Sequence, residues 1–299
     1  MTVKHLLSFT NKLVYKIALY CRMIKIEHSI FALPLALASF VLACQTHGFS
    51  LHKLIFVILA MVSARSAAMG FNRLADAEFD KLNPRTKNRE IPKGKITSEQ
   101  AVAFVVISSL IFVYSAFKLN NLCFYLSPVV LLILFFYSYT KRFTTFTHFF
   151  LGISLGLSPL GAWIAVSGQF SLLPFILSSF VILWVAGFDI IYACQDMNFD
   201  RKIGLFSVPV AYGRKTALKL SFIFHSISII PLIILGMLAQ LGVIYYVGVC
   251  MVALLLLWEH LIINKTYLTK LNTAFFTINA WIGIIYFLFF FIDITLLNR

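Results

Sequence analysis

Nine apolar runs, each close to the length at which a helix crosses a bilayer, constrain this chain before anything else does. They fall at about residues 29–47, 54–71, 101–117, 122–140, 146–168, 171–193, 216–237, 241–258 and 273–297. A transmembrane helix needs roughly 20 predominantly apolar residues. Lipid offers the backbone no hydrogen-bond partners, so such runs must be helical once inserted. The content of 61% hydrophobic and 12% charged residues agrees, since a soluble domain is about 45–50% apolar and about 25% charged. The expected fold is all-α: a polytopic membrane protein, one nine-transmembrane-helix bundle over residues 1–299 with cytoplasmic loops as caps. Very short links make hairpins of the third and fourth runs and of the fifth and sixth.

Charge placement orients the bundle. Nearly all of the 25 Lys and Arg fall on one side: in the leader, in residues 72–99, at Lys141 and Arg142, in 201–219, and at Lys265 and Lys270. The other side holds Lys53, Lys118 and Arg299, while Arg65 lies inside a span. The positive-inside rule puts the N-terminus and the two long loops on the cytoplasmic side of a bacterial-type inner membrane. The formal charge of +14 is thereby explained by topology, and nucleic acid is set aside as a partner. Residues 1–28 form a basic amphipathic segment with Leu6, Phe9, Leu13, Ile17, Tyr20 and Ile24 at helical spacing, suited to lie on an anionic lipid leaflet. The five cysteines, scattered in or beside apolar runs, read as buried hydrophobes without disulfides.

Against this apolar background the 11 acids stand out. Asn72, Asp76 and Asp80 are four residues apart at the end of the second run; Tyr192, Asp196 and Asp200 repeat the spacing after the sixth. Four-residue spacing puts side chains on one helical face, where like charges repel. Carboxylates set this way call for a cation between them, and Mg²⁺ bound with phosphate takes such ligands. Each cluster runs into bases: Lys81, Arg85, Lys87, Arg89, Lys93 and Lys95 after the first, Arg201 and Lys202 after the second. The result is a divided anion site with a mobile basic loop. Asp76 and Asp196 lie 120 residues apart, which suggests a weak internal duplication over about 29–145 and 146–299.

Two ionisable residues lie within spans. Arg65 is seven residues before Asn72, hence near the same face, and a buried arginine needs a partner. It suits either a substrate anion or an ion pair with an acid such as Asp189. Asp189, seven before Asp196, could assist the metal, accept a proton or pair with Arg65. Glu27 and His28 are weaker candidates near the same surface. A membrane transporter is the alternative from another class, but the acids cluster at one face, and spans three, four, five, seven and eight hold almost no ionisable residues to line a path.

Three ordered motifs carry a resemblance. Asn72-x₃-Asp76-x₃-Asp80 with Asn83-Pro84-Arg85-Thr86 and Arg89-x-Ile91-Pro92-x-Gly94 is similar to the first signature of the UbiA-type intramembrane prenyltransferases. Tyr139-Thr140-Lys141-Arg142-Phe143-Thr144 resembles the family's middle motif, and Asp196-x₃-Asp200-Arg201-x₂-Gly204-x₂-Ser207-x-Pro209 its second acidic motif. The resemblance, nearest to the branch acting on 4-hydroxybenzoate, covers almost the whole chain. It implies a Mg²⁺-dependent enzyme that moves a polyprenyl group from its diphosphate to the ring of an aromatic acid in ubiquinone or menaquinone synthesis. Asn72, Asp76, Asp80, Asp196 and Asp200 would hold metal, with Lys141 among the catalytic groups. Arg65, Arg85, Arg89, Arg142, Arg201, Asp189, Tyr139 and Tyr192 would bind substrate. Tyr137, Trp184, Phe188, Tyr139 and Tyr192 would face the allylic cation, which aromatic rings stabilise. Lipid and the two substrates are the implied partners, with no obligate protein partner. The opening Lys25-Ile26-Glu27-His28-Ser29-Ile30-Phe31-Ala32-Leu33-Pro34 lacks the Arg-x-Asp-Lys-Pro form of ubiquinone enzymes, so 1,4-dihydroxy-6-naphthoate stands beside 4-hydroxybenzoate as acceptor.

If the two acidic clusters form one site, Asp76→Asn and Asp196→Asn each abolish prenyl transfer in purified membranes given prenyl diphosphate, Mg²⁺ and an aromatic acid. Full activity in either variant would separate the clusters.

Overall fold

Local signals cut the apolar runs into helices. Ser50 caps one helix by accepting from Lys53 N–H. Thr97 and Gln100 form a reciprocal capping box at the next. The Asn120 side chain accepts from Cys123 N–H, so two long helices are separated by that one residue. Gly168 and Gly204 stop helices in the left-handed conformation, where glycine carries no Cβ penalty. A computed structural model describes residues 14–26, 33–265 and 277–297.

Among these residues the chain is all helical. The elements are α1 (14–23), α2 (Leu33–His47), α3 (Leu51–Ala75), α4 (Ala77–Leu82), α5 (Ser98–Leu119), α6 (Asn121–Thr140), α7 (Thr147–Ser167), α8 (Leu172–Ala193), α9 (Met197–Ile203), α10 (Val208–Leu238), α11 (Val243–Lys265) and α12 (Asn279–Leu297). Eight are long and apolar enough to cross a membrane, and α2 is a shorter apolar helix. The nine expected spans therefore match these nine helices closely. Glu27, His28, Leu6, Phe9, Leu13 and Lys270 lie outside the described residues.

The packing is inside-out relative to a soluble bundle. α5 exposes Val102, Val106, Ile107 and Leu110 and buries Ser108 and Ser115; α6 exposes Val129 and Leu132 and buries Ser127 and Ser138. Lipid is as apolar as leucine, so small and polar residues mark helix contacts. α8 is the central helix, buried along Phe180, Val181, Trp184, Val185, Phe188 and Ile191, and it packs most closely on α7 and α10. A Cβ on Gly152 would fall 2.5 Å from the Ile182 carbonyl oxygen, and one on Gly187 would fall 2.2 Å from the His225 ring.

Two expectations are corrected. The eighth span continues past residue 258 to Lys265, which places Glu259 and His260 inside a helix, both buried. His225 of α10 contacts His260, and Asn279 of α12 donates to Glu259. Spans seven and eight thus carry a buried polar network that hydropathy did not show. The leader also packs differently. α1 buries Leu19 and Met23, with Ile24 just beyond its end, against Ile91, Ile96 and Ala101, while Ile17 is exposed. It grips the basic loop, which is folded into hydrogen-bonded turns where mobility was expected.

Gly152→Ala should force α7 from α8, because the obstructing atom is backbone. The expected loss is about 1–3 kcal/mol, read as a lower unfolding midpoint of the detergent-purified protein.

Candidate active site

The two acidic motifs share one local geometry. α3 ends at Ala75, Asp76 adopts φ −96° and ψ 3°, and α4 begins. α8 ends at Ala193, Asp196 adopts φ −95° and ψ 0°, and α9 begins. In both, the second aspartate's N–H donates to the first one's carbonyl at 2.8 Å. Each span thus bends at its acidic residue and turns a short helix over the bundle end. The bend after α3 is braced by Arg142, whose Nη2 donates to Ala75 O at 2.6 Å.

Between these bends lies a cleft of about 1370 Å³, counting its open mouth. It is lined by Asn72, Asp76, Asp80, Arg85, Arg89, Lys141, Arg142, Asp189, Tyr192, Asp196 and Asp200, with Arg65 deeper along α3. Of the expected aromatics, Tyr137 and Phe188 also line it. Trp184 is fully buried behind Phe188, at 5.5 Å between ring centres. Two expected residues lie elsewhere. Arg201 is exposed and donates to Val210 O at 3.4 Å, because it sits on the outer side of α9. Tyr139 is 40% exposed and packs beneath the Arg142 guanidinium at 4.7 Å.

The motifs are joined across the cleft by the basic loop. Arg85 grips Asp196 in two-pronged fashion, with Nε to Oδ1 at 2.9 Å and Nη2 to Oδ2 at 2.5 Å, and its Nη1 donates to Tyr192 Oη at 2.8 Å. Asn83 Nδ2 adds a third donor to Asp196 at 3.1 Å. Arg89 Nη1 holds both oxygens of Asp80 at 2.8 and 2.7 Å. The sequence assigned Arg85 and Arg89 to substrate phosphate; here they close on the carboxylates. The two-pronged Arg85 pair is of the strong kind, while Arg89 reaches both Asp80 oxygens from one nitrogen.

The acids split electrostatically. Burial alone would raise Asp196, but the Arg85 hydrogen bonds and charge, with Lys141 and Asn83, hold it below its ordinary value of 3.8. Burial raises Asp200, with Asp196 adding repulsion and Lys141 opposing. Burial likewise raises Asp76, opposed by Lys141 and reinforced by Asp80. Lys141 is pushed down by burial and more than restored by Asp200, Asp189, Asp196 and Asp76. It sits 3.9 Å from Asp200, and its backbone carbonyl accepts from Phe206 N–H.

These residues fit Mg²⁺. The donors are all oxygen, and Asp200 Oδ2 is buried without a hydrogen bond. Among the described residues no three acidic, His or Cys side chains converge tightly enough to hold an ion by themselves. Mg²⁺ characteristically takes one or two carboxylates and completes its shell with substrate phosphate. Asn72 Nδ2 lies 3.1 Å from Asp76 Oδ2, so its amide oxygen is the atom left for a cation.

Sequence reading missed several members. Arg73 is buried and donates through Nε to Met23 O at 3.0 Å; it looked like another topological charge. Lys25 and Ser138 line the cleft from the leader and α6, with no spacing to reveal them, and Asn83, part of the first signature but given no role there, lines it from the basic loop. The open choice for Asp189 is resolved for its contact: His148 Nδ1 lies 2.7 Å from Asp189 Oδ2, while Arg65 Nη2 donates to Lys25 O at 3.2 Å.

The sequence model of the UbiA prenyltransferase family matches residues 32–289. The chain belongs to this family. It is 29% identical over 248 residues, 83% of this chain and 87% of the relative, to a 4-hydroxybenzoate octaprenyltransferase of Francisella tularensis subspecies novicida. It is 28% identical over 276 residues, 91% and 93% of the two chains, to one from Marinobacter nauticus. Its structure resembles a UbiA homologue from Aeropyrum pernix with TM-score 0.82 and 35% identity, covering 90% of this chain and 98% of that one. A UbiA homologue from Archaeoglobus fulgidus bound to GPP and Mg²⁺ shares the fold at TM-score 0.72 and 20% identity, covering 93% and 100%. The UbiA prenyltransferase is thus a multi-pass membrane protein whose acidic motifs meet in one cleft.

Arg85→Met should leave Asp196 buried without its partner. Asp196's lowered pKa contributes stability that is present above its unfolded value and lost as pH falls through the folded one. Without Arg85, burial raises that pKa and the contribution reverses. The stability gap between wild type and variant should therefore grow from pH 4 to pH 7, reaching about 1–3 kcal/mol, less than for a fully buried pair because Arg85 is 32% exposed. Thermal unfolding in detergent with a chelator present reads this directly; a pH-independent gap would show that Arg85 acts by packing alone.

Proposed function

We propose that this UbiA prenyltransferase transfers a polyprenyl group from its diphosphate to the ring of 4-hydroxybenzoate or a related aromatic acid, at the cytoplasmic face of a bacterial inner membrane, in quinone synthesis. One observation carries the reading: two carboxylate pairs, seven Lys and Arg side chains and an aromatic wall meet in a single cleft at one end of an apolar bundle. The relatives named as 4-hydroxybenzoate octaprenyltransferases and the fold neighbour holding GPP and Mg²⁺ support it.

Asn72, Asp76, Asp80, Asp196 and Asp200 would hold Mg²⁺, whose chemistry there is Lewis-acid neutralisation of the diphosphate. Lys141, Arg85 and Arg89 bind the phosphate oxygens and stabilise charge as the prenyl C–O bond breaks and its electron pair leaves with diphosphate. Arg85 and Arg89 can exchange carboxylate for phosphate, since a tetrahedral phosphate, like a carboxylate, presents two oxygens that a guanidinium can hold together. Phe188 and Tyr137 exclude water from the allylic cation and offer it ring faces. The aromatic acid approaches with its carboxylate toward Arg65 and Lys25. The new C–C bond forms ortho to a hydroxyl, and the ring proton leaves.

The altered opening at Lys25–Pro34 favours a second acceptor, 1,4-dihydroxy-6-naphthoate, using the same carboxylate clamp. Purified membranes given a long-chain prenyl diphosphate, Mg²⁺ and either acid decide between them by the product formed. Arg65→Lys should raise the aromatic acid's KM well above any change in the prenyl donor's, because lysine cannot make a two-pronged contact. No product from either acid would overturn the reading.

A further inference from the structure

Asp189 is the carboxylate in this cleft that belongs to neither acidic motif. It lies on α8 two turns before Asp196, lines the cleft beside Phe188 and Tyr192, and its side chain is 13% exposed. Its contact is the fully buried His148, the second residue of α7, at 2.7 Å from Nδ1 to Oδ2. The other ring nitrogen fixes the proton's position. Val208 N–H, at the start of α10, points at His148 Nε2 across 3.3 Å. A backbone N–H only donates, so Nε2 is the acceptor and Nδ1 carries the hydrogen given to Asp189. The imidazole is thus a neutral bridge from an otherwise unpaired helix-start amide to one oxygen of Asp189. That bridge comes from the protein interior. What remains accessible of Asp189 opens on the cleft.

This arrangement differs from the rest of the site. Asp80 and Asp196 are gripped by arginines, and Asp200 sits near Lys141. The Asp189 carboxylate is instead oriented by one imidazole N–H from the protein interior, and its accessible part faces the cleft. The substrate group that an oriented carboxylate can accept a hydrogen bond from, beside an aromatic wall, is a hydroxyl on an aromatic ring.

We propose that Asp189 is the acceptor-hydroxyl group of the active site, with His148 as its positioning residue. The inference rests on the aromatic-acid reading above. Asp189 accepts the hydrogen bond of the hydroxyl and takes its proton as the ring carbon attacks the prenyl carbon, whose bond to diphosphate oxygen breaks with both electrons. The dienone so formed loses the ring hydrogen as a proton to the departing diphosphate, and Asp189 returns its proton to the oxygen. Products are the prenylated phenol and protonated diphosphate, with no redox change.

The test compares Asp189→Asn, His148→Leu and His148→Asn in detergent-purified protein with Mg²⁺ and prenyl diphosphate. Two acceptors are used: the parent phenolic acid and a ring-fluorinated analogue whose hydroxyl is ionised at the assay pH. Asp189→Asn should lower kcat on the parent acid about 100-fold or more, while the prenyl donor's KM stays put. On the fluorinated acid the deficit relative to wild type should shrink at least tenfold, because that acceptor arrives without the proton. His148→Leu should lose about 10- to 100-fold, and His148→Asn, which can supply a donor near the Nδ1 position, should recover most of it. An equal deficit on both acceptors, or joint changes in both substrates' KM, would overturn the assignment and leave a structural role. Wild-type protein inactive on every aromatic acid would overturn the aromatic-acid reading and this inference with it.

Discussion

Carboxylates held at the rim of an apolar bundle must find partners, and the cleft end of this protein is built to supply them. Five acids face one cleft. Removing an unpaired carboxylate from water costs several kcal/mol, so each is met in its own way: Arg85 on Asp196, Arg89 on Asp80, Lys141 toward Asp200, His148 on Asp189 and the Asn72 amide on Asp76. The basic loop between α4 and α5 is ordered by these pairs as much as by its own turns. The leader helix is ordered in turn, because Ile91 and Ile96 of that loop give it a surface to bury Leu19 and Met23. Arg73 completes the chain of dependence by reaching from α3 to the Met23 carbonyl.

The same electrostatics divide the labour among chemically identical side chains. Asp196 is held ionised by a guanidinium, whereas Asp76 and Asp200 are raised by burial and repulsion. The latter two gain most from a divalent cation, since it removes the penalty they carry. Arginine suits the companion role because the fork that grips a carboxylate also grips a phosphate. A lysine at position 85 could neutralise Asp196 but could not orient it and Tyr192 together.

The scaffold that carries this chemistry is held by close approach. Gly152 and Gly156 lie against Ile182 and Ser178, and Gly187 against His225. Buried hydroxyls close the same seams: Ser178 donates to Gly156 O at 2.6 Å and Ser221 to Gly187 O at 2.7 Å. α8 is therefore fixed on both flanks, and Asp189, Tyr192 and Asp196 inherit its position. Deeper in the bundle, Trp184 Nε1 donates to Asn279 Oδ1 at 2.7 Å, which sets the ring behind Phe188 and stiffens the cleft wall.

Helix number, approximate helix positions and the two acidic clusters were legible because length, hydropathy and four-residue spacing are local properties. A run of about 20 apolar residues must become a helix in lipid whatever surrounds it, and rare acids stand out in so apolar a chain. The extent of the eighth span was not legible, because Glu259 and His260 are polar in the sequence and the groups they bond, Asn279 and His225, come from other helices. Arg201 shows the converse limit: it follows Asp200 directly, yet the turn of α9 carries it outward. The sequence by itself determined a helical membrane bundle with two matching acidic ends. Tertiary structure alone decided which cation meets which acid, that Asp189 pairs with His148 and not Arg65, and that Arg85 joins the two halves. The Arg85–Asp196 and His148–Asp189 pairings join residues 111 and 41 positions apart, which no local pattern encodes.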